Sequence, residues 1–89
     1  MIFVDSIQRG RAPWKGGAYS HMTSDSNVGE LLDFALSLGL RLAWFQHPPR
    51  ASHPHYDIAP GVRARALRAG AVAVTRREYV AAVHRLKER

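Results

Sequence analysis

The sequence predicts a small α/β domain in which three helices pack on a three- to four-stranded, mainly parallel sheet. Short apolar runs typical of strands alternate with stretches of helical periodicity, in the order β-β-α-β-α-β-α. The chain has 89 residues, of which 46% are hydrophobic and 22% charged, as expected for a single α/β domain over residues 1–89. An antiparallel hairpin of the first two strands is the alternative to parallel pairing.

Two strands are predicted in the first quarter of the chain. Residues 2–4 form a short apolar run with a preference for β-structure. In residues 18–22, apolar and polar side chains alternate enough to predict a second strand. Between these strands, residues 8–17 contain three glycines, one proline and three basic residues, which predicts an irregular loop.

The first helix has a signal at each end. Asn27 and Glu30 have the spacing of a capping box at its start, and Gly39 is typical of the residue that follows a helix. The apolar residues between these signals recur at helical spacing: Val28, Leu31, Leu32, Ala35, Leu36 and Leu38.

A third strand and a long loop are predicted next. Residues 40–46 form the strand, and residues 47–57, which contain three prolines, form an irregular loop. Trp44 and Phe45 are adjacent, so a strand would turn them to opposite faces, and we expect both to pack in the core. The alternative is an exposed aromatic platform on which nucleic-acid bases stack.

The last part of the chain predicts a helix, a strand and another helix. The second helix begins at Pro60 and ends at Gly70, because proline suits a first helical turn and glycine suits a helix end. Residues 71–74 form a buried strand. Thr75 and Glu78 have the spacing of a second capping box, which opens the third helix.

The charge of the chain is concentrated in its second half. The net charge is +6; residues 1–45 carry four basic and four acidic side chains, whereas residues 46–89 carry nine basic and three acidic ones. Eleven of the basic residues are arginines, whose planar guanidinium groups suit phosphate. This pattern predicts a phosphate-bearing ligand or nucleic acid as partner, and a solvated arginine-rich surface is the alternative.

Several classes of site and location are excluded by what the sequence lacks. The chain has no cysteine, so disulfides, thiolate metal sites and cysteine nucleophiles do not occur. It has no apolar run of a membrane-spanning length and no signal peptide at Met1. We therefore expect a cytoplasmic protein with no membrane partner.

Polar side chains follow the predicted strands, at the edge where open α/β sheets bind ligands. Asp5 and His21 lie at two of these strand ends, and the side chains of His53-x-His55-x-Asp57 point to one face if that chain is extended. Asp5, His21, His55 and Asp57 are therefore candidate ligands of a divalent metal with an open position. Of these residues, His21, His55 and Asp57 are the candidate catalytic groups.

Two other interpretations of these residues stay open. Without a metal, His21 or His55 would act as a general acid or base, oriented by Asp57 or Asp25. Alternatively, the prolines of the loop separate these side chains, Asp57 caps the following helix, and His21 is a hydrogen-bonded core residue.

The start of the third predicted helix is a candidate phosphate site. Backbone N–H groups at a helix N-terminus bind phosphate, and Arg76 and Arg77 would strengthen that binding. Asp25, which follows the second predicted strand, and Tyr56, which lies between His55 and Asp57, are the other predicted ligand-binding residues. A capping box with two solvated arginines is the alternative. The glycine-rich phosphate loops and the serine nucleophile motif do not occur in the chain.

A set of motifs extends over nearly the whole chain. These motifs are Phe3-Val4-Asp5, Trp14, His21-Met22-x-Ser24-Asp25, Leu31-x-x-Phe34-Ala35-x-x-Leu38-Gly39-Leu40, Trp44-Phe45-Gln46, His55-Tyr56-Asp57, Arg63-x-x-Ala66 and Gly70-Ala71-x-x-Val74. By these motifs the chain resembles a family of bacterial and phage proteins known as domain of unknown function 4031. The resemblance implies a small stand-alone domain, and it brings no activity, substrate or cofactor. Ala59-Pro60 departs from it, because a hydroxyl-bearing helix cap is expected there.

The function predicted by these features is binding of a phosphate-bearing ligand, nucleotide or nucleic acid, at the cluster of histidine and aspartate residues. If the protein is an enzyme, hydrolysis of a phosphoester with or without a divalent metal is the expected reaction. Two alternatives are a non-enzymatic nucleic-acid binder and an accessory protein that acts on a host protein or as a homodimer.

Overall fold

The computed structural model describes residues 1–10 and 12–88, so Arg11 in the predicted loop 8–17 lies outside the described residues. The helices and strands of the described chain are β1 (Ile2–Val4), β2 (Ser20–Ser24), α1 (Val28–Ser37), a 3₁₀ turn (Leu42–Trp44), β3 (Tyr56–Ile58), α2 (Pro60–Arg68), β4 (Val72–Ala73) and α3 (Arg76–Lys87). Within residues 1–10 and 12–88, none of the helices has both the length and the apolar character needed to cross a membrane.

The four strands form one mixed sheet in the order β3-β2-β1-β4. The pairings β1–β2 and β2–β3 are antiparallel, and only β1–β4 is parallel. The prediction of a mainly parallel sheet is therefore wrong, and the antiparallel alternative for the first two strands is confirmed. No helix lies between β1 and β2 in the described residues, so the chain lacks the crossover that parallel neighbours require and returns antiparallel.

The third strand lies in a different part of the chain from the predicted one. Residues 40–46 form no strand; they contain the 3₁₀ turn and one isolated bridge, from Gln46 to His55. The strand is instead β3, which lies at the end of the predicted loop 47–57 and continues to Ile58. Residues 41–44 are exposed, whereas Tyr56 and Ile58 are each 1% exposed. Because Tyr56 and Ile58 are buried in the core and residues 41–44 are not, the strand forms at Tyr56–Ile58 instead of at residues 40–46.

The helices begin close to the predicted residues because their starting signals are local. The Asn27 side chain accepts a hydrogen bond from the Glu30 backbone N–H at the start of α1. Thr75 and Glu78 form the complete reciprocal capping box of α3. Pro60 is the first residue of α2, whose N-cap, Ala59, makes no side-chain capping bond.

Helices cover both faces of the sheet. On one face, buried side chains of β1, β2 and β3 pack with α1 and α2 into the main core, which includes Val4, Met22, Leu31, Ala35, Tyr56, Ile58 and Ala66. On the other face, α3 packs on β1 and β2. Because side chains alternate along a strand, His21 next to Met22 and Asp57 next to Tyr56 project to the α3 face.

Candidate metal centre

Pairing between β2 and β3 brings His21 and Asp57 together. The two residues are directly opposite each other in the antiparallel register, and His55 precedes Asp57 by two residues on the same face. Asp57 Oδ1 lies 3.4 Å from His55 Nε2 and 3.8 Å from His21 Nε2. One ligand atom from each of these three side chains lies within 4.8 Å of the other two, a spacing that suits a single metal ion.

Each imidazole is anchored through its other ring nitrogen. His21 Nδ1 lies 2.7 Å from Asp5 Oδ2, and His55 Nδ1 lies 2.8 Å from the His53 carbonyl oxygen. A carboxylate and a carbonyl only accept hydrogen bonds, so Nδ1 donates in both rings and Nε2 keeps its lone pair when the ring is neutral. This arrangement is the one that accompanies metal-bound histidines.

The Asp57 carboxylate is held on one side and unpartnered on the other. Its Oδ2 accepts a hydrogen bond from Gln46 Nε2 at 2.8 Å. Its Oδ1 is buried and has no hydrogen-bond partner among the described residues. A buried oxygen of this kind needs a partner, and a cation between the two Nε2 atoms would satisfy it.

Opposing effects act on the charges of the centre. Burial alone would raise the pKa of Asp57, but contacts with His55 and Gln46 outweigh burial and hold this pKa below its ordinary value. The hydrogen bond to Asp5 raises the pKa of His21, with burial acting against it. A metal ion at His21 would therefore compete with a proton that this ring holds more tightly than a free imidazole does.

Asp5 is placed behind His21 and not among the three converging atoms. It is buried, its Oδ1 accepts the His21 backbone N–H at 2.7 Å, and its Oδ2 also accepts a hydrogen bond from Gln8 Nε2 at 3.2 Å. The Arg63 side chain donates to the Asp5 carbonyl oxygen at 3.0 Å. Both carboxylate oxygens are thus occupied by neighbours in the chain.

A second pair of polar groups adjoins the centre on the α3 face. His53 Nε2 lies 2.9 Å from the Tyr79 hydroxyl, and the Tyr79 ring lies 5.9 Å from the His21 ring. Burial, followed by the nearby rings of His55 and His21, lowers the pKa of His53 to about 4. Burial also raises the pKa of Tyr79, and Asp5 and Asp57 act in the same direction. At neutral pH both groups are therefore uncharged.

A cavity of about 340 Å³ gives access to this region. Asp5, His21, His53 and Tyr79 line it, and Arg76 lies at the same opening. Arg76 is exposed, and its positive charge opposes the rise in the pKa of His21. Of the three converging side chains, His21 lines this cavity, so the cavity combines one candidate metal ligand with a positive charge from the first turn of α3.

Of the four predicted metal ligands, His21, His55 and Asp57 converge, and Asp5 lies behind His21. Arg76 lines the same cavity as Asp5 and His21. These side chains were expected to meet because each follows the end of a predicted parallel strand. They meet for a different reason, since antiparallel pairing of β2 and β3 places their ligand atoms together within the sheet. The alternative in which Asp57 caps the following helix does not hold, since the N-cap of α2 is Ala59.

Three predicted ligand-binding residues lie away from the centre. Asp25 follows β2 at the end of the sheet where β1 begins, and its carboxylate lies 3.5 Å from the Arg85 guanidinium. Tyr56 projects into the main core on the opposite face. Arg77 is exposed and does not line the cavity of Arg76.

The sequence did not indicate the supporting roles of Gln8, Gln46 and Tyr79. Gln8 lies in a predicted loop, and Gln46 ends a predicted strand within the motif Trp44-Phe45-Gln46, which assigns it no role. Tyr79 has the helical spacing of a core residue, and its ring is indeed buried. The only signal in the sequence was a hydroxyl group on an otherwise apolar helix face.

Comparison with known proteins gives one match. A family model described as "Protein of unknown function (DUF4031)" matches residues 2–86. No curated protein and no solved structure matches the chain. The match covers β1 to the last turn of α3 and includes every residue of the candidate metal centre. The chain therefore belongs to the DUF4031 family, as its motifs indicated.

Proposed function

We propose that this protein binds a divalent metal ion at His21, His55 and Asp57 and, through that ion and Arg76, a phosphate-bearing ligand. The observation that carries the proposal is the buried, unpartnered Asp57 Oδ1 facing two Nε2 atoms whose rings are anchored at Nδ1. Two histidines and one carboxylate suit Zn²⁺, Mn²⁺, Fe²⁺ or Co²⁺ and leave coordination positions open for a ligand.

Each residue has a defined part in this proposal. His21 and His55 supply neutral nitrogens, and Asp57 supplies the negative charge. Asp5 orients His21 and raises its basicity, which assigns it a supporting role instead of that of a ligand. Arg76 supplies a charge-assisted hydrogen bond to phosphate oxygens. A bound divalent ion would polarise a phosphoryl oxygen and lower the pKa of a water molecule, so hydrolysis of a phosphoester is the reaction to which this site is suited.

Metal binding is tested first, with protein freed of metal by EDTA. We expect one Co²⁺, Zn²⁺ or Mn²⁺ ion to bind per chain, as measured by calorimetry and by the visible absorption of Co²⁺. The change His55→Ala should weaken binding by more than about 100-fold, because even a residue that supports a ligand contributes about 10- to 100-fold. Asp57→Asn, which preserves shape, should weaken it as well.

The matched control is His47→Ala, which removes an exposed histidine outside the centre. It should bind the ion as tightly as the unaltered protein does. Equal affinities of the unaltered protein and of both centre variants would contradict the proposal, as would the absence of any binding.

Phosphate binding is tested with two adjacent arginines. Arg76 lines the cavity and Arg77 does not, although both are exposed in the first turn of α3. With the ion bound, Arg76→Ala should weaken the binding of phenyl phosphate by about tenfold, the size of one charge-assisted hydrogen bond. Arg77→Ala should leave it within about twofold, because a distant exposed charge is screened by salt. Equal effects of the two changes would show that only the general positive charge matters.

A further inference from the structure

A second cavity, of about 590 Å³, shares Asp57 with the candidate metal centre. Its volume lies in the range of small-molecule sites. Its walls are mainly apolar and contain both tryptophans of the chain. Its lining includes Trp14, Leu40, Trp44, Val62, Gln46 and Asp57.

The two tryptophans offer flat apolar surface to this cavity. Trp14 Nε1 donates to the Ala18 carbonyl oxygen at 2.7 Å, so its polar atom is already satisfied and its ring is held in place. Trp44 is 52% exposed although it is the largest side chain of the 3₁₀ turn. Its neighbour Phe45 packs against the core, so the segment turns one aromatic residue inward and leaves the other outside. An exposed indole beside a cavity favours a ligand that covers it with a planar ring.

The polar end of the cavity adjoins the metal centre. Gln46 and Asp57 line the cavity, and they are joined by the hydrogen bond between Gln46 Nε2 and Asp57 Oδ2. That bond uses one N–H of the Gln46 amide, and the amide has a second N–H and a carbonyl oxygen with which to bind the polar edge of a ring. A ligand in this cavity would therefore have its aromatic part between the tryptophans and its other end near Asp57.

We infer that the phosphate-bearing ligand of the proposed function is a nucleotide, with its base in the Trp14–Trp44 cavity and its phosphate at the metal centre. This inference rests on the proposed function for the position of the phosphate. The cavity itself supplies the selectivity for a base, because a sugar phosphate or inorganic phosphate would leave both indoles uncovered. Asp57 belongs to both sites, so a nucleotide would extend from the tryptophans, past Asp57, to the metal ion.

The test compares ligands that differ only in the base. Calorimetry would measure the affinities of the four nucleoside 5′-monophosphates and of ribose 5-phosphate for the Co²⁺-loaded protein. At least one nucleotide should bind about tenfold or more tightly than ribose 5-phosphate, since stacking on one aromatic side chain has an effect of this size. In Trp44→Ala most of that preference should disappear, while the visible absorption of the bound Co²⁺ stays unchanged.

The matched control is Leu42→Ala, which removes a side chain of the same turn that is 63% exposed and does not line the cavity. It should keep the full preference for the nucleotide. The inference is overturned if ribose 5-phosphate binds as tightly as all four nucleotides, or if Trp44→Ala keeps the preference.

The same titrations in EDTA separate this inference from the proposed function. A base preference that persists in EDTA would support the cavity assignment independently of the ion, whereas failure of the metal-free protein to bind Co²⁺ in the separate metal titration would contradict the metal centre. Metal binding without a base preference would support the centre and overturn the inference.

Discussion

At the scale of single residues, the two histidines of the centre differ in the charge of the group behind them. The carboxylate of Asp5 stands behind His21, and the neutral carbonyl of His53 stands behind His55. A carboxylate stabilises the protonated ring, which is why the pKa of His21 is raised. The same carboxylate makes the neutral ring a stronger electron donor to a metal.

The change Asp5→Asn tests this role of the carboxylate. It should lower the pKa of His21 in the metal-free protein, because the hydrogen bond that raises it loses its charge. It should also weaken metal binding by about 10- to 100-fold. The pKa is read from the titration of the His21 ring in NMR spectra, and the metal affinity from calorimetry above the pKa of the ring.

The control for this change is Asp33→Asn, which neutralises an exposed carboxylate on α1. It should alter neither quantity. If Asp5→Asn weakened metal binding but left the pKa of His21 unchanged, Asp5 would have only a structural role.

At the scale of elements, the register between β2 and β3 decides whether the centre exists. His21 is opposite Asp57, and a slip by one residue would place Tyr56 or Ile58 opposite it, with the side chain on the wrong face. Tyr56 and Ile58 are both buried in the main core, so hydrophobic burial fixes the register. The core therefore positions the polar groups on the opposite face of the same strand.

Helix boundaries could be predicted from the sequence because they depend on neighbouring residues. The Thr75–Glu78 capping box and Gly39, which has a φ of 81°, act within a few positions of the helix ends they mark. The strand partners could not be predicted in the same way, since β2 and β3 are separated by more than thirty residues. The alternation of Tyr56, Asp57 and Ile58 was a strand signal, but the prolines before it favoured a loop.

The site residues were predictable to the extent that their chemical type was informative. Two histidines and a carboxylate at a spacing of two indicated a metal or acid–base site in any extended segment. Tyr56 has the same neighbours in the sequence, yet it lies in the core because adjacent strand residues face opposite sides. Which residues of β3 face the core and which face α3 could therefore not be assigned until the strand itself had been located.

At the scale of the whole molecule, some of the basic side chains of the second half hold parts of the fold together. Arg63 and Arg65 donate to the backbone carbonyls of Asp5 and Leu38 at 3.0 Å each, and so connect α2 to the ends of β1 and α1. Part of the basic excess thus stabilises the fold. The expectations of a nucleic-acid partner, a host protein and a homodimer stay predictions.

The stability of the whole molecule should depend on pH through His53. Its pKa is about 4 in the folded chain and near 6.5 in the unfolded chain, so the unfolded chain binds more protons between these values. The free energy of unfolding of the metal-free protein should therefore fall as the pH drops from 6.5 towards 4, by about 1–3 kcal/mol. The neighbouring titratable and charged groups are His21, His55, Asp57, Tyr79 and Lys87.

Urea denaturation in EDTA at pH 7 and pH 5 measures this loss. His21 acts in the opposite direction, because its pKa is raised in the folded chain. Its protonation therefore stabilises the fold at pH values below the ordinary pKa of histidine. The variant His53→Gln isolates the His53 contribution and should lose less stability between the two pH values. Equal losses in the two proteins would show that His53 does not cause the effect.

The β3 strand has only three residues and lies at an edge of the sheet, which has a consequence for local unfolding. A short edge strand is held by few backbone hydrogen bonds, so the burial of Tyr56 and Ile58 is the main barrier to its separation from β2. Of the three candidate ligands, Asp57 belongs to β3, His55 immediately precedes this strand, and His21 belongs to the neighbouring strand β2. An ion bound by all three would link the two strands through side chains as well as backbone. Exchange of the ion with solvent and opening of the sheet edge would then be one and the same motion.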